Sequence, residues 1–258
     1  MIKVYDNGNE FIKENDEFLK LEKYMSSLFY VDAKVLTNST KSDYAVKALV
    51  DDKIMLGIRV MPYSLLLYGD NEALPEMIQY FDDNNYASEA VLCPETIGNE
   101  LVKSHGYIKA IGMDFMETKD YTEESSSEVI KLKEEDLDEL HSLILRFFID
   151  CGLPDKPSKD KVKANLDNFR CIKVDGKIVS IGAYSGYTDT SCKITHVYTR
   201  DEYRGKSYAR KVVNTMKNEI INSGMIATLN VYQNNPISNH LYKSLGFKKV
   251  YGQGMYKK

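Results

Sequence analysis

The segment Val91–Met116, VLCPETIGNELVKSHGYIKAIGMDFM, aligns without gaps on Val231–Tyr256, VYQNNPISNHLYKSLGFKKVYGQGMY, at an offset of 140 residues with nine identities in 26 positions. Self-similarity at one long offset points to a duplicated unit of fold. Each copy reads as strand, helix and strand, with the helix stopped by a glycine, Gly106 in the first and Gly246 in the second. A chain of 258 residues has room for two domains of ordinary size, each with its own core. The polar, serine-rich run Thr118–Glu128, TKDYTEESSSE, lies between two regions of clear apolar patterning, so the expected division is 1–124 and 125–258.

The two parts differ in charge. Residues 1–124 carry 12 basic and 23 acidic side chains, whereas 125–258 carry 22 basic and 15 acidic ones. A net positive half suits a small polyanion such as a nucleotide phosphate. Nucleic acid is not expected, because the chain has no basic helix and no aromatic-basic repeat. No stretch approaches the roughly 20 apolar residues of a membrane helix, and the N-terminus has no export signal, so the chain reads as cytoplasmic and free of membrane partners. Cys93, Cys151, Cys171 and Cys192 are scattered without metal-ligand spacing, which implies free thiols and no metal.

In the second half, Leu137, Leu140, Leu143, Ile144 and Phe147 recur at helical spacing, and a second helix follows near Ser158–Leu166. Two β-rich runs then flank Asp175-Gly176, a dipeptide suited to a tight hairpin turn. A third strand, Lys193–Thr199, leads into a loop and a helix with Ala209, Val212, Val213, Met216, Ile220 and Ile221 on its apolar stripe, closed by Gly224. A strand to about Tyr232, a helix opening at Pro236 and a closing strand complete the half.

Two stretches carry chemistry. ITHVYTRDEYRGKSYAR, Ile194–Arg210, puts a short basic loop at the mouth of a helix that follows a strand. The first backbone N–H groups of a helix have no internal partner and sit at the positive end of its dipole, so this geometry suits a pyrophosphate. NPISNHLYKSLGF, Asn235–Phe247, places Tyr242 on the next helix, where a phenol can donate a proton to a departing thiolate.

Together and in this order, the two stretches resemble the GNAT superfamily of CoA-dependent N-acetyltransferases. The family's Arg/Gln-x-x-Gly-x-Gly/Ala phosphate loop is met by Arg204, Gly205, Lys206, Ser207, Tyr208 and Ala209, with Ser207 standing where the family has its central glycine. The N-x-x-[AS]-x-x-x-Y pattern is met by Asn235, Ser238 and Tyr242. The resemblance implies an α/β fold of two tandem domains, each with a central mixed, mostly antiparallel sheet flanked by helices. It implies acetyl-CoA as co-substrate, held by the backbone of Val197, Tyr198 and Thr199, by the loop from Arg204 to Ala209 and by Asn235. It also implies Tyr242 as the acid for the CoA thiolate and a small-molecule amine as acceptor. His196 and Glu202 are the nearest titratable candidates for a base. A non-catalytic acyl-CoA-binding module is the alternative.

In the first half the counterpart of the phosphate loop, Ser64–Gly69, has no basic residue, and the counterpart of Tyr242 is Val102. The first domain is therefore expected to be a degenerate copy without a cofactor loop.

Overall fold

The computed structural model describes residues 1–21, 24–123, 125–153, 156–186 and 190–258; Glu124, where the expected division falls, lies outside them. Two compact units are resolved. Unit 1 contains Met1–Phe115, Tyr232–Asn234 and Val250–Lys258, and unit 2 contains Met116–Val231 and Asn235–Lys249. The last segment of the chain thus belongs with the first. No helix among the described residues is long and apolar enough to cross a membrane.

Unit 1 runs β1 (Ile2–Tyr5), α1 (Gly8–Lys20), α2 (Ser26–Val35), β2 (Tyr44–Val50), β3 (Lys53–Arg59), β4 (Leu65–Gly69), α3 (Leu74–Asp83), β5 (Ala90–Pro94), α4 (Glu95–Ser104) and β6, which begins at Ile108 and ends at Thr118. The closing strand β12 (Lys248–Lys257) sets its Gln253–Lys257 antiparallel against Pro94–Ala90 of β5. Strand order is β1-β2-β3-β4-β5-β12. All described neighbours in it are antiparallel except β4 and β5, which pair in parallel through Leu65 with Val91 and Leu66 with Leu92. One face of the sheet buries Met55, Leu65, Met77, Phe81 and Tyr256, and the other buries Phe11, Phe29, Leu56 and Ile58.

Unit 2 runs β7 (Ile130–Lys131), α5 (Leu137–Asp150), α6 (Lys159–Ala164), β8 (Phe169–Val174), β9 (Lys177–Ser185), β10 (Ser191–Thr199), α7 (Tyr208–Asn222), β11 (Ile226–Tyr232) and α8 (Pro236–Ser244). Strand order is β11-β10-β9-β8-β7, with β10–β11 parallel and the other pairs antiparallel. Each unit therefore carries one parallel pair in an otherwise antiparallel sheet, as a duplicated mixed sheet requires. The expected turn is present: Asp175 and Gly176 both have positive φ, 50° and 78°, joining β8 to β9. Helix α7 lays Val212, Val213, Met216 and Ile220 on one face of the sheet, and α5 lays Leu140, Leu143 and Ile144 on the other. Burial of these two apolar stripes drives the layering.

The segment after β6 does not behave as a polar tether. The Thr122 N–H donates to Asn218 Oδ1 at 3.2 Å, Thr122 Oγ1 donates to Asn214 Oδ1 at 2.9 Å, and Asn218 Nδ2 donates to the Thr122 carbonyl at 2.6 Å and to Ser125 Oγ at 3.3 Å. The Ser126 N–H reaches Thr215 Oγ1 at 3.3 Å. One polar edge of α7 straps the segment down. Asn218→Ala removes the central bonds and leaves backbone groups of Thr122 unpaired, so we expect a loss of about 2 kcal/mol and faster protease cleavage within residues 119–126, measured by thermal denaturation and limited proteolysis.

Candidate active site

The candidate site lies in unit 2, where β10 parts from β11. Parallel pairing covers Ser191–Ile194 against Ile226–Leu229 and stops there, although β10 continues to Thr199 and β11 to Tyr232. On its other side β10 skips register against β9 between Thr195 and Tyr198. This is a β-bulge, and His196 within it has φ of 50°. Bulge and parting strands together leave the backbone of Val197, Tyr198 and Thr199 facing the opening toward β11.

Beyond β10, Asp201–Tyr203 form one 3₁₀ turn and Arg204 resumes extended backbone. Gly205 and Ser207 then take positive φ, 77° and 62°, and α7 opens at Tyr208 without a side-chain cap. A Cβ at Gly205 would meet nothing within 4 Å, so that glycine answers a backbone requirement rather than a packing one. Ser207 holds a left-handed conformation that costs a non-glycine residue on the order of 1 kcal/mol. The uncapped amides of α7, with Arg204 and Lys206 exposed beside them, are groups that could hold a phosphate. Arg204 is steered by its Nε, which donates to the Thr199 carbonyl at 3.2 Å, and by an ion pair with Asp201 at 2.7 Å. The Lys206 ammonium stands 5.2 Å from the Tyr203 ring centroid.

Asn235 is placed at the head of α8, with its Oδ1 accepting the Ser238 N–H at 3.1 Å. Its first duty is to cap the helix, which accounts for Asn and Ser three residues apart without reference to a ligand. Tyr242, on the same helix, is 7% exposed and packs in one apolar cluster with Ile194, Leu229 and Val231, to which Val197 and Tyr208 also belong at its edge. Strand, loop helix and tyrosine thus share one cluster. Burial pushes the Tyr242 phenol up to about 12, with Cys151 at the end of α5 adding to the shift. Arg210 Nη1 donates to Ser244 Oγ at 2.7 Å and ties α7 to α8.

The two candidate bases separate. Glu202 is exposed and ion-paired with Lys177 at 3.1 Å, and a bond from its own backbone N–H, then that pairing, hold its carboxyl below the usual range. His196 is half-buried among Phe147, Phe148 and Phe169, with ring centroids at 5.3, 5.7 and 6.1 Å. Burial, and secondarily Lys193, lower its pKa. Its Nδ1 is buried with no hydrogen-bond partner among the described residues. Lys193, three residues earlier, was not singled out by sequence reasoning, because only the strand partners around it reveal its burial. Among the described residues no group of three or more His, Cys, Asp or Glu is placed to hold a metal ion, and all four cysteines are free.

In unit 1, β4 runs into Asp70, whose carboxylate accepts the Ile54 N–H at 2.9 Å, and the following short turn is acidic rather than basic. Val102 stands on α4, exposed, with no group that can donate a proton.

Residues 186–255 match the family model of FR47-like proteins, a span that contains the bulge, the loop, Asn235 and Tyr242. No curated protein matches the chain in sequence. Among solved structures, a GNAT-family acetyltransferase from Colwellia psychrerythraea superposes with a TM-score of 0.69 at 11% identity, covering 100% of both chains. A GCN5-related N-acetyltransferase from Sphaerobacter thermophilus gives 0.65 at 13%, covering 100% of this chain and 95% of that one. A tandem GNAT protein from the clavulanic acid biosynthesis pathway gives 0.56 at 7%, covering 100% and 98%. At such identities the superpositions establish the fold. By that fold the chain is similar in architecture to GNAT acetyltransferases, a tandem one among them, and its second unit carries an FR47-like segment over the candidate site.

Proposed function

We propose that unit 2 binds acetyl-CoA and transfers its acetyl group to the primary amine of a small molecule by direct attack in a ternary complex. The observation that carries this reading is the alignment of three features on one short piece of chain: the open edge of β10, the uncapped head of α7 and the buried phenol of Tyr242. The fold and the FR47-like match support acyl transfer as the class of reaction. The Gly205–Ala209 amides with Arg204 and Lys206 would hold the pyrophosphate, and the β10 backbone from Val197 to Thr199 would hold the pantetheine arm. Freed N–H groups at the bulge would polarise the thioester carbonyl. Tyr242 would protonate the leaving thiolate, and positioning of both substrates would supply much of the remaining acceleration.

The test is CoA-thiol release from acetyl-CoA over a panel of amines, paired with calorimetric binding of acetyl-CoA. Binding with turnover supports the reading; absence of binding sinks it. Tight binding without turnover on any amine would favour an acyl-CoA-sensing module, a reading motivated by the side chain of Ser207 where phosphates approach. Ser207→Gly relieves the left-handed serine and removes atoms beside the phosphate cradle. It is expected to tighten acetyl-CoA binding by about fivefold, the equivalent of about 1 kcal/mol, in the same calorimetric measurement.

A further inference from the structure

Two polar groups on the α5 side of β10 lack partners that their burial calls for. Lys193 is half-buried, its side chain runs along Gly186 with Nζ 3.8 Å from where a Cβ of that glycine would sit, and no hydrogen bond or ion pair reaches it among the described residues. Burial alone lowers its pKa. His196 presents a buried Nδ1 with no partner among the described residues. An orphaned imidazole nitrogen is tolerated as a lone pair more readily than as an N–H, which assigns the proton to Nε2 and leaves Nδ1 basic. A half-buried cation and a base with a buried orphan nitrogen, three residues apart and the latter walled by Phe147, Phe148 and Phe169, are costly unless a ligand satisfies both.

Resting on the acetyl-transfer reading above, we propose that Lys193 and His196 form the acceptor subsite, Lys193 receiving a carboxylate and His196 Nδ1 the amine to be acylated. The acceptor is then an amino acid with an apolar side chain, and the phenylalanine rings receive that side chain. A carboxylate on the acceptor answers Lys193, which has no counter-ion among the described residues. The groups around His196 agree: α5 and β8 present it with aromatic rings, and the charge it senses is that of Lys193 on its own strand. In the reaction, the amine nitrogen bonds to the thioester carbonyl carbon as the carbon–sulfur bond breaks. The amine proton passes to His196 Nδ1, the sulfur takes a proton from Tyr242, and solvent returns a proton from the imidazolium to the phenolate.

Direct binding decides the matter without turnover. L-Phenylalanine and its decarboxylated counterpart phenethylamine are titrated into the full chain by calorimetry, with and without CoA, for the natural protein and for Lys193→Met and Lys193→Arg. We expect phenylalanine to bind better than phenethylamine. Lys193→Met should weaken phenylalanine about 10- to 100-fold, leave phenethylamine and acetyl-CoA binding unchanged, and be partly rescued by Lys193→Arg. Equal binding of the two amines, no phenylalanine binding, or indifference to Lys193→Met overturns the subsite. Loss of acetyl-CoA binding in the natural protein is a separate result that overturns the acetyl-transfer reading instead.

Discussion

Tyr242→Phe lowers kcat for CoA release by about 100-fold or more, the range for loss of a general acid, while acetyl-CoA binds with unchanged Kd. The separation follows from what the hydroxyl does in the fold. The packing is carried by the ring: Tyr242 is 7% exposed and meets Phe247 edge to face at 6.1 Å. Phenylalanine keeps those contacts. No hydrogen bond from the Tyr242 hydroxyl to a described residue is broken by the change, so the melting midpoint should move little. Because burial lifts the phenol to about 12, it keeps its proton across the neutral range, and its own deprotonation should not limit the rate below that pH. Stopped or steady-state thiol release with calorimetry on the same preparations checks both halves. Equal loss of binding and rate would show that the tyrosine acts through the fold instead of through a proton.

Gly8→Ala destabilises unit 1 by about 3 kcal/mol, lowering its melting midpoint by roughly 10 °C. Gly8 is the first residue of α1 and is buried where the helix meets the end of α2. A Cβ there would stand 2.0 Å from the Ala33 carbonyl oxygen and 2.5 Å from its carbon, and the Gly8 N–H donates to the Leu36 carbonyl at 2.9 Å. Those obstacles are backbone, which has no rotamer to change. Relief requires moving one helix against the other and disturbs the layer of Phe11, Phe29 and Leu56 beneath. Asn9→Ala, at the exposed neighbouring position, is the control and should shift the midpoint little. An unchanged midpoint for Gly8→Ala would mean that the approach of α1 to α2 is looser than the geometry described.

Much of the site is legible in the amino-acid order because its parts are local. The apolar stripe of α7, the Asp175-Gly176 turn, the Pro236 start and Gly246 stop of α8, and the loop from Arg204 to Ala209 each follow from residues within a few positions of one another. The self-match at 140 residues likewise announces a duplicated mixed sheet, and both units have one. Asn235 is legible in two ways, and the cap it supplies to Ser238 is the role that its neighbours already satisfy.

Other features depend on partners far away in the chain. THVYT reads as an ordinary strand, yet β10 bulges at His196 because its register with β9 slips by the positions between Thr195 and Tyr198, and register is a property of two strands. The burial of Lys193 and the aromatic walls of His196 come from α5 and β8. The run after β6 is polar by composition, and its attachment to Asn214, Thr215 and Asn218 exists only once α7 presents that edge. Most of all, the chain's last strand pairs with β5 and completes unit 1. Two closing strands of similar pattern cannot declare from their own residues which sheet they join, since backbone hydrogen bonds are the same in either. Local periodicity determined which segments are strands and helices; strand pairing, register and burial, which are relations between distant segments, decided where those elements meet.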